Sequence, residues 1–198
     1  MEIPSDLAPA LVPLAWLLGR WEGAGVVGYP TMESANFGQE LEVSHDGRPF
    51  LRWDSRAWLL DDAGSKVRPL AVESGFWRVA GPASDGASDA GVAGGPGDAG
   101  APDGSDGSDG AAVATNGFAV EFLLAHPTGY VEIYVGTVEG AQINLQTDLV
   151  ARTQTAKEYS AATRIYGLVN GDLLWAMDMA AVGHPITSHA SAQLKRVG

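Results

Sequence analysis

The chain has 198 residues, of which 45% are hydrophobic and six are tryptophan, a composition sufficient for one domain with a buried core. Its formal net charge is −12 and it contains no cysteine, so disulfide frameworks and thiolate metal sites are excluded, and binding to nucleic acid or anionic lipid is disfavoured. We therefore expect a cytoplasmic protein that binds neither nucleic acid nor membrane.

The first predicted element is a short helical segment within residues 7–18. Pro9 and Pro13 argue against a continuous long helix, and the apolar side chains around them suit a plug over one end of a barrel. The run follows Glu2 and Asp6 instead of basic residues and is too short to span a bilayer. We therefore interpret it as neither a signal peptide nor a membrane anchor.

Short strands separated by tight turns follow from Trp21 onward, at a spacing typical of a barrel or a sandwich. Turn pairs such as Glu139-Gly140 and Asn170-Gly171 can supply positive φ, and strands joined so tightly must be antiparallel. The pattern therefore predicts an all-β, antiparallel fold of about ten strands. The predicted strands cover residues 20–29, 36–44, 49–60, 67–79, 117–125, 129–138, 141–150, 157–169, 172–182 and 186–197.

Between Gly81 and Asn116 the composition is almost entirely Gly, Ala, Asp, Ser and Pro, and six aspartates within residues 85–109 carry half of the net charge. Such a stretch cannot bury enough apolar area to offset its ordering entropy. It also lacks the glutamate and flanking helices of a calcium-binding EF-hand. We expect a disordered insertion at about residues 82–115 within a single domain spanning residues 1–198.

Four histidines are the only nitrogen ligands available for a metal or a haem iron. His45, His126 and His184 lie in turn sequences, where exposed side chains are expected. His189 lies in the last predicted strand, but strict alternation places it opposite the apolar residues that follow it. Alternation therefore predicts that His189 faces solvent, unless a bulge or a polar barrel interior redirects it towards a ligand.

A glycine-rich motif opens the first predicted strand. In it Gly19, Trp21, Gly23 and Gly25 alternate with other residues, and 29–31 read Tyr-Pro-Thr. Taken alone, the motif predicts a first barrel strand whose tryptophan closes one end and whose glycines allow close backbone approach. The motif resembles the signature of the nitrobindin family. Further similar stretches cover most of the chain outside the insertion and include residues 44–50, 73–76, 126–129, 156–158 and 189–194.

The resemblance implies a ten-stranded up-and-down β-barrel, related to fatty-acid-binding proteins, that holds one b-type haem per subunit. The axial ligand of the family corresponds to His189, which would be both metal ligand and catalytic residue. The family's haem-contacting lysine and threonine correspond to Lys157 and Thr31. The implied activity is isomerisation of peroxynitrite to nitrate on ferric haem, with nitric oxide as a further ligand and a homodimer as one option.

Two other functions share this fold. The chain could be a non-enzymatic carrier of fatty acids or other small hydrophobic molecules, which differs from the haem enzyme only in whether His189 reaches iron. It could also be a nitric-oxide or redox sensor that acts through protein contacts made by the acidic insertion. A Soret band in the purified protein, or its appearance on addition of hemin, separates haem binding from the carrier function.

Overall fold

Ten strands and one short helix form the part of the chain, residues 3–83 and 117–197, that the computed structural model describes. Each strand pairs with its neighbour in sequence and β10 pairs with β1, which gives a closed antiparallel barrel and confirms the predicted fold. The 3₁₀ helix is Pro9–Leu17, and the strands are β1 Gly19–Tyr29, β2 Met32–Ser44, β3 Leu51–Leu60, β4 Lys66–Pro82, β5 Phe118–His126, β6 Tyr130–Glu139, β7 Gln142–Arg152, β8 Tyr159–Val169, β9 Asp172–Ala181 and β10 Thr187–Val197.

The turns divide the barrel into two ends. Because consecutive strands are antiparallel, the connections after β1, β3, β5, β7 and β9 all lie at one end, called here the open end. The 3₁₀ helix directly precedes β1 and therefore lies at the other, closed end. Within the described residues, no helix combines the length and apolarity needed to cross a membrane.

The 3₁₀ helix closes this end because leucines recur at every third residue, which matches its three residues per turn. Side chains three residues apart line up along a 3₁₀ helix, and Leu11, Leu14 and Leu17 are all fully buried. Trp21 is also fully buried, and its indole Nε1–H donates a 2.8 Å hydrogen bond to the carbonyl oxygen of Leu17. Trp21 thus lies in the core at the closed end, as the motif predicted.

The glycines of the motif let β1 pass close to β10. A Cβ atom added to Gly23 or Gly25 would lie 2.1 Å from a backbone oxygen of β10, that of Gln193 or Ser191 respectively. Gly19 adopts a φ of 121°, in the region that favours glycine. The motif is therefore explained by packing of the barrel wall.

Aromatic side chains fill the barrel interior towards its closed end, since Trp53, Trp77 and Tyr166 lie in the halves of their strands nearer that end and Phe122 lies at the centre of β5. Trp77 and Phe122 stack with ring centroids 4.0 Å apart, and Trp53 packs edge-on against Tyr166 at 5.6 Å. These four side chains and that of Tyr134 are at most 1% exposed. These side chains leave no room for a bound molecule in the part of the barrel that they fill.

The predicted insertion begins where β4 ends. Pro82 still belongs to β4, and the backbone N–H of Ala83 donates a 3.0 Å hydrogen bond to the carbonyl oxygen of Gly117. The two strands therefore stay paired up to the start of the segment. Residues 84–116 lie outside the described residues, so the predicted disorder stays a prediction.

Candidate functional site at the open end of the barrel

The open end brings together the three residues that the resemblance assigns to the cofactor. Thr31 lies in the turn between β1 and β2, Lys157 in the loop between β7 and β8, and His189 near the start of β10. His184 also lies at this end, whereas His45 follows β2 at the opposite end. Residues that are distant in sequence therefore converge on one rim of the barrel.

His189 occupies a β-bulge. In the pairing of β10 with β9, Ser188 lies opposite Asp178 and Ala190 lies opposite the adjacent residue, Met177, so His189 is the extra residue. A bulge breaks the strict alternation of side chains, and His189 is half-buried. The solvent-facing placement predicted from alternation is therefore wrong, and the redirecting bulge is the physical reason.

The two ring nitrogens of His189 have different surroundings. Nδ1 lies 2.9 Å from the carbonyl oxygen of Gly28 on β1, so Nδ1–H must be the donor in this hydrogen bond. Among the described residues, Nε2 has no hydrogen-bond partner. A histidine whose Nδ1 proton is held by a carbonyl presents the Nε2 lone pair, which is the arrangement of many metal-binding histidines.

The surroundings also favour the uncharged imidazole. Burial lowers the pKa of His189 below its ordinary value, and the positive charge of Arg164 lowers it further, against the raising effect of the Gly28 carbonyl. A neutral imidazole is the form that can coordinate a metal. A cleft of about 400 Å³ opens beside the ring, between the ends of β1 and β10, so the histidine can be reached from outside.

Lys157 and Thr31 are exposed. Lys157 precedes the first residue of β8 by two positions and so lies in the loop instead of in the predicted strand. Their position at the open end is compatible with contact to a bound cofactor, but within the described part of the chain neither side chain forms a hydrogen bond or ion pair. Their roles stay predictions.

A buried carboxylate, Glu132 on β6, was missed by the sequence analysis. It is fully buried and accepts a 2.5 Å hydrogen bond from His126 Nε2 and another of 2.5 Å from the hydroxyl of Tyr134. The hydroxyl of Tyr159 donates a further short hydrogen bond to it. His126, expected in an exposed turn, is the last residue of β5, and its side chain is only 10% exposed. That expectation was wrong because the buried carboxylate draws the ring inward.

A buried arginine extends this group of side chains. Arg164 on β8 donates hydrogen bonds of 2.7 and 3.3 Å to the two carboxylate oxygens of Glu73. It also donates to the hydroxyls of Tyr134, at 3.0 Å, and Tyr166, at 3.2 Å. We call these seven residues the polar cluster: Glu73, His126, Glu132, Tyr134, Tyr159, Arg164 and Tyr166.

The protonation states in the polar cluster follow from its contacts. Burial by itself raises the pKa of Glu132, but the hydrogen bond from His126 and the charge of Arg164 outweigh it and lower the pKa to about 2. Burial raises the pKa of both Tyr134 and Tyr159 far above the ordinary value, so both hydroxyls keep their protons and donate. Glu132 is therefore an ionised carboxylate whose charge is balanced inside the barrel.

The polar cluster also strengthens the wall where the backbone ladder is incomplete. The pairing of β7 with β8 stops at Gln146 and Thr163. Beyond it, the backbone N–H of Ala162 on β8 donates a 3.0 Å hydrogen bond to the hydroxyl of Thr147 on β7, and the hydroxyl of Tyr159 on β8 reaches past β7 to Glu132 on β6. Side-chain bonds thus join the strands where the backbone ladder ends.

Comparison with known proteins gives consistent matches along the chain. A family profile described as a THAP4-like, heme-binding beta-barrel domain matches residues 10–196. The chain is 47% identical over 199 residues to the ferric nitrobindin-like protein of Kineococcus radiotolerans, covering 100% of this chain and 98% of that protein. It is 47% identical over 196 residues to the peroxynitrite isomerase of Renibacterium salmoninarum, and the match covers 99% of this chain and 93% of that protein. The peroxynitrite isomerase of Paenarthrobacter aurescens is 44% identical over 197 residues, covering 100% and 98%.

A solved structure matches the whole barrel. The crystal structure of Rv2717c from M. tuberculosis has a TM-score of 0.70 and 31% sequence identity to this chain. The match covers 98% of this chain and 100% of the other, so the two proteins share the barrel from end to end.

Proposed function

Because the chain belongs to the nitrobindin family of THAP4-like haem-binding β-barrel domains, we propose that its haem is a b-type haem held by His189 and that it isomerises peroxynitrite to nitrate. The observation that carries this proposal is the state of His189. Its Nδ1 proton is committed to the Gly28 carbonyl, and its Nε2 has no hydrogen-bond partner among the described residues. The full-length similarity to proteins named peroxynitrite isomerase supports the reaction.

The residues at the open end are chemically suited to hold a haem. The neutral imidazole of His189 beside a cleft would be a suitable nitrogen donor to the iron, and the bulge at the start of β10 presents it without disturbing the strand that follows. Ferric haem, when bound, would supply a Lewis-acidic iron at which the peroxynitrite anion can rearrange to nitrate. The protein would therefore have to hold the haem and leave it accessible to the substrate.

Neighbouring groups keep the imidazole of His189 in the neutral form that can bind iron. The Gly28 carbonyl holds a proton on Nδ1 of His189, and burial together with the charge of Arg164 disfavours a second proton on the ring. Lys157, at the rim, would pair with a carboxylate of the haem, and Thr31 would contact the cofactor from the β1–β2 turn. Because Lys157 is exposed, such an ion pair would contribute only about 0–1 kcal/mol.

The packed aromatic side chains Trp53, Trp77, Phe122 and Tyr166 exclude a haem and a fatty acid equally from the part of the barrel that they fill. What favours the haem over the carrier alternative is His189, whose Nε2 has no hydrogen-bond partner among the described residues. A cytoplasmic location, nitric oxide as a ligand, a homodimer and the sensor function stay predictions.

The function is tested by reacting hemin-loaded protein with peroxynitrite in a stopped-flow instrument. We expect faster decay of peroxynitrite than with haem-free protein or with an equal concentration of hemin alone, and nitrate as the product. If peroxynitrite decays no faster with hemin-loaded protein than with hemin alone, the proposed activity is contradicted. A protein that leaves the broad absorbance of free hemin unshifted, yet binds a fluorescent fatty acid, would favour the carrier.

A further inference from the structure

Tyr29, the last residue of β1, contacts the ring of His189. The two ring centroids are 5.7 Å apart and the ring planes are nearly perpendicular, at 88°. Tyr29 is 7% exposed, so its ring is held in place by its surroundings. It therefore forms a fixed wall against one side of the imidazole.

The hydroxyl of Tyr29 is tied to a different strand. It accepts a 2.9 Å hydrogen bond from the backbone N–H of Ala181 and donates to the Ala181 carbonyl oxygen at 3.1 Å. Ala181 ends β9, and β10 lies between β1 and β9 in the barrel. The Tyr29 side chain therefore spans β10, the strand that carries His189, and joins the strands on both sides.

This link lies where backbone pairing no longer holds the strands. The backbone pairing of β1 with β10 ends, towards the open end, at the pair Val27 and Ala190. The bulged His189 is the next residue beyond that pair. Beyond that pair, the imidazole of His189 itself makes the next bond, to the Gly28 carbonyl. The orientation of the ring thus depends on how firmly the end of β1 is fixed.

The segment that follows Ala181 is strained. Val182 has a φ of 53°, a left-handed conformation that a β-branched residue seldom adopts. Such strain persists only where surrounding contacts determine the backbone, and it concentrates at functional sites. The two hydrogen bonds between the Tyr29 hydroxyl and the backbone of Ala181 fix the chain directly before the strained residue.

We propose that Tyr29 is a positioning residue for His189. By joining the ends of β1 and β9 across the bulge, it holds the Gly28 carbonyl and the imidazole in the arrangement that leaves Nε2 available. This inference deepens the proposed function, because the ring that Tyr29 orients is the one we propose to hold the haem. Tyr29 acts through His189 and is not itself a ligand.

The test is Tyr29→Phe, which keeps the aromatic ring and removes only the hydroxyl. Tyr166→Phe is the matched control, since Tyr166 is 1% exposed and its hydroxyl is also hydrogen-bonded, to Arg164, but on the strand β8. Nitrogen–proton NMR of the haem-free proteins reports which ring nitrogen of His189 carries the proton. Hemin titration followed by absorbance gives the dissociation constant.

In the parent and in Tyr166→Phe, we expect a single tautomer of His189 with its proton on Nδ1. In Tyr29→Phe we expect a mixture of tautomers and about tenfold weaker hemin binding, because the hydroxyl that makes both hydrogen bonds to Ala181 is removed. An unchanged tautomer in Tyr29→Phe would overturn the proposal, as would unchanged hemin affinity. If the parent itself fails to bind hemin through His189, the proposed function fails, while the tautomer comparison still decides the role of Tyr29.

Discussion

Replacing Glu132 with alanine is expected to lower the free energy of unfolding by about 3–5 kcal/mol, the range measured when one partner of a buried ion pair is removed. Glu132 is fully buried and accepts hydrogen bonds from His126, Tyr134 and Tyr159. Without it, these donors lose their acceptor inside the barrel, and the charge of Arg164 loses part of its compensation. Urea denaturation of the parent and the variant at neutral pH measures the loss.

A surface glutamate provides the control. Glu42 forms an ion pair with Arg20 at 3.6 Å, but its side chain is 53% exposed, so Glu42→Ala is expected to change stability by only about 0–1 kcal/mol. Similar losses for the two variants would contradict the role assigned to the polar cluster.

The contribution of Glu132 also predicts a dependence on pH. Its pKa is lowered from 4.5 to about 2 in the folded protein, so the unfolded state binds a proton more readily. The stability due to this group is therefore fully present above about pH 4.5 and is lost as the pH falls towards about 2. The difference in unfolding free energy between the parent and Glu132→Ala should narrow across that interval.

Trp21→Ala is expected to cost about 3–5 kcal/mol, the range for removing a large aromatic side chain from a core. Trp21 is fully buried, bonds to Leu17 of the helical plug, and has the guanidinium of Arg196 4.1 Å above its ring. The measurement is again urea denaturation. Trp58→Ala, which removes a half-buried tryptophan, is the control and should cost less.

Trp21 lies at the closed end, so the variant should still bind hemin under conditions in which it is folded. Intact stability together with a loss of hemin binding would show that the tryptophan belongs to the ligand site, and the structural explanation of the motif would be wrong.

Turn chemistry and alternation were sufficient to predict about ten antiparallel strands, and the resemblance to the family predicted their closure into a barrel. Strand β8 ends at the predicted residue, before Asn170 and Gly171, which adopt φ values of 53° and 88° and so match a tight hairpin turn. Other strand boundaries were predicted less accurately. Strand β2 begins at Met32, four residues before the prediction, because it pairs with β1 immediately after the β1–β2 turn.

The site depended on information that local patterns lack. Alternation misplaced His189 because a bulge is a property of the pairing between β10 and β9. Resemblance to the family, which compares whole motifs, assigned the haem ligand to His189, and this assignment stays a prediction. The polar cluster was missed because Glu73 and Arg164 are 91 residues apart in sequence. The one local signal was Glu132 itself, which shares a strand face with Tyr130 and Tyr134.

The most direct test of the proposed haem site is addition of hemin to the parent and to His189→Ala, followed by absorbance spectroscopy. We expect the parent to give the spectrum of a high-spin ferric haem with a histidine ligand. His189→Ala should lose that spectrum while keeping its fold, and His45→Ala, altered at the opposite end of the barrel, should retain it. If His189→Ala keeps the parent spectrum, His189 is not the ligand and the proposed site is wrong.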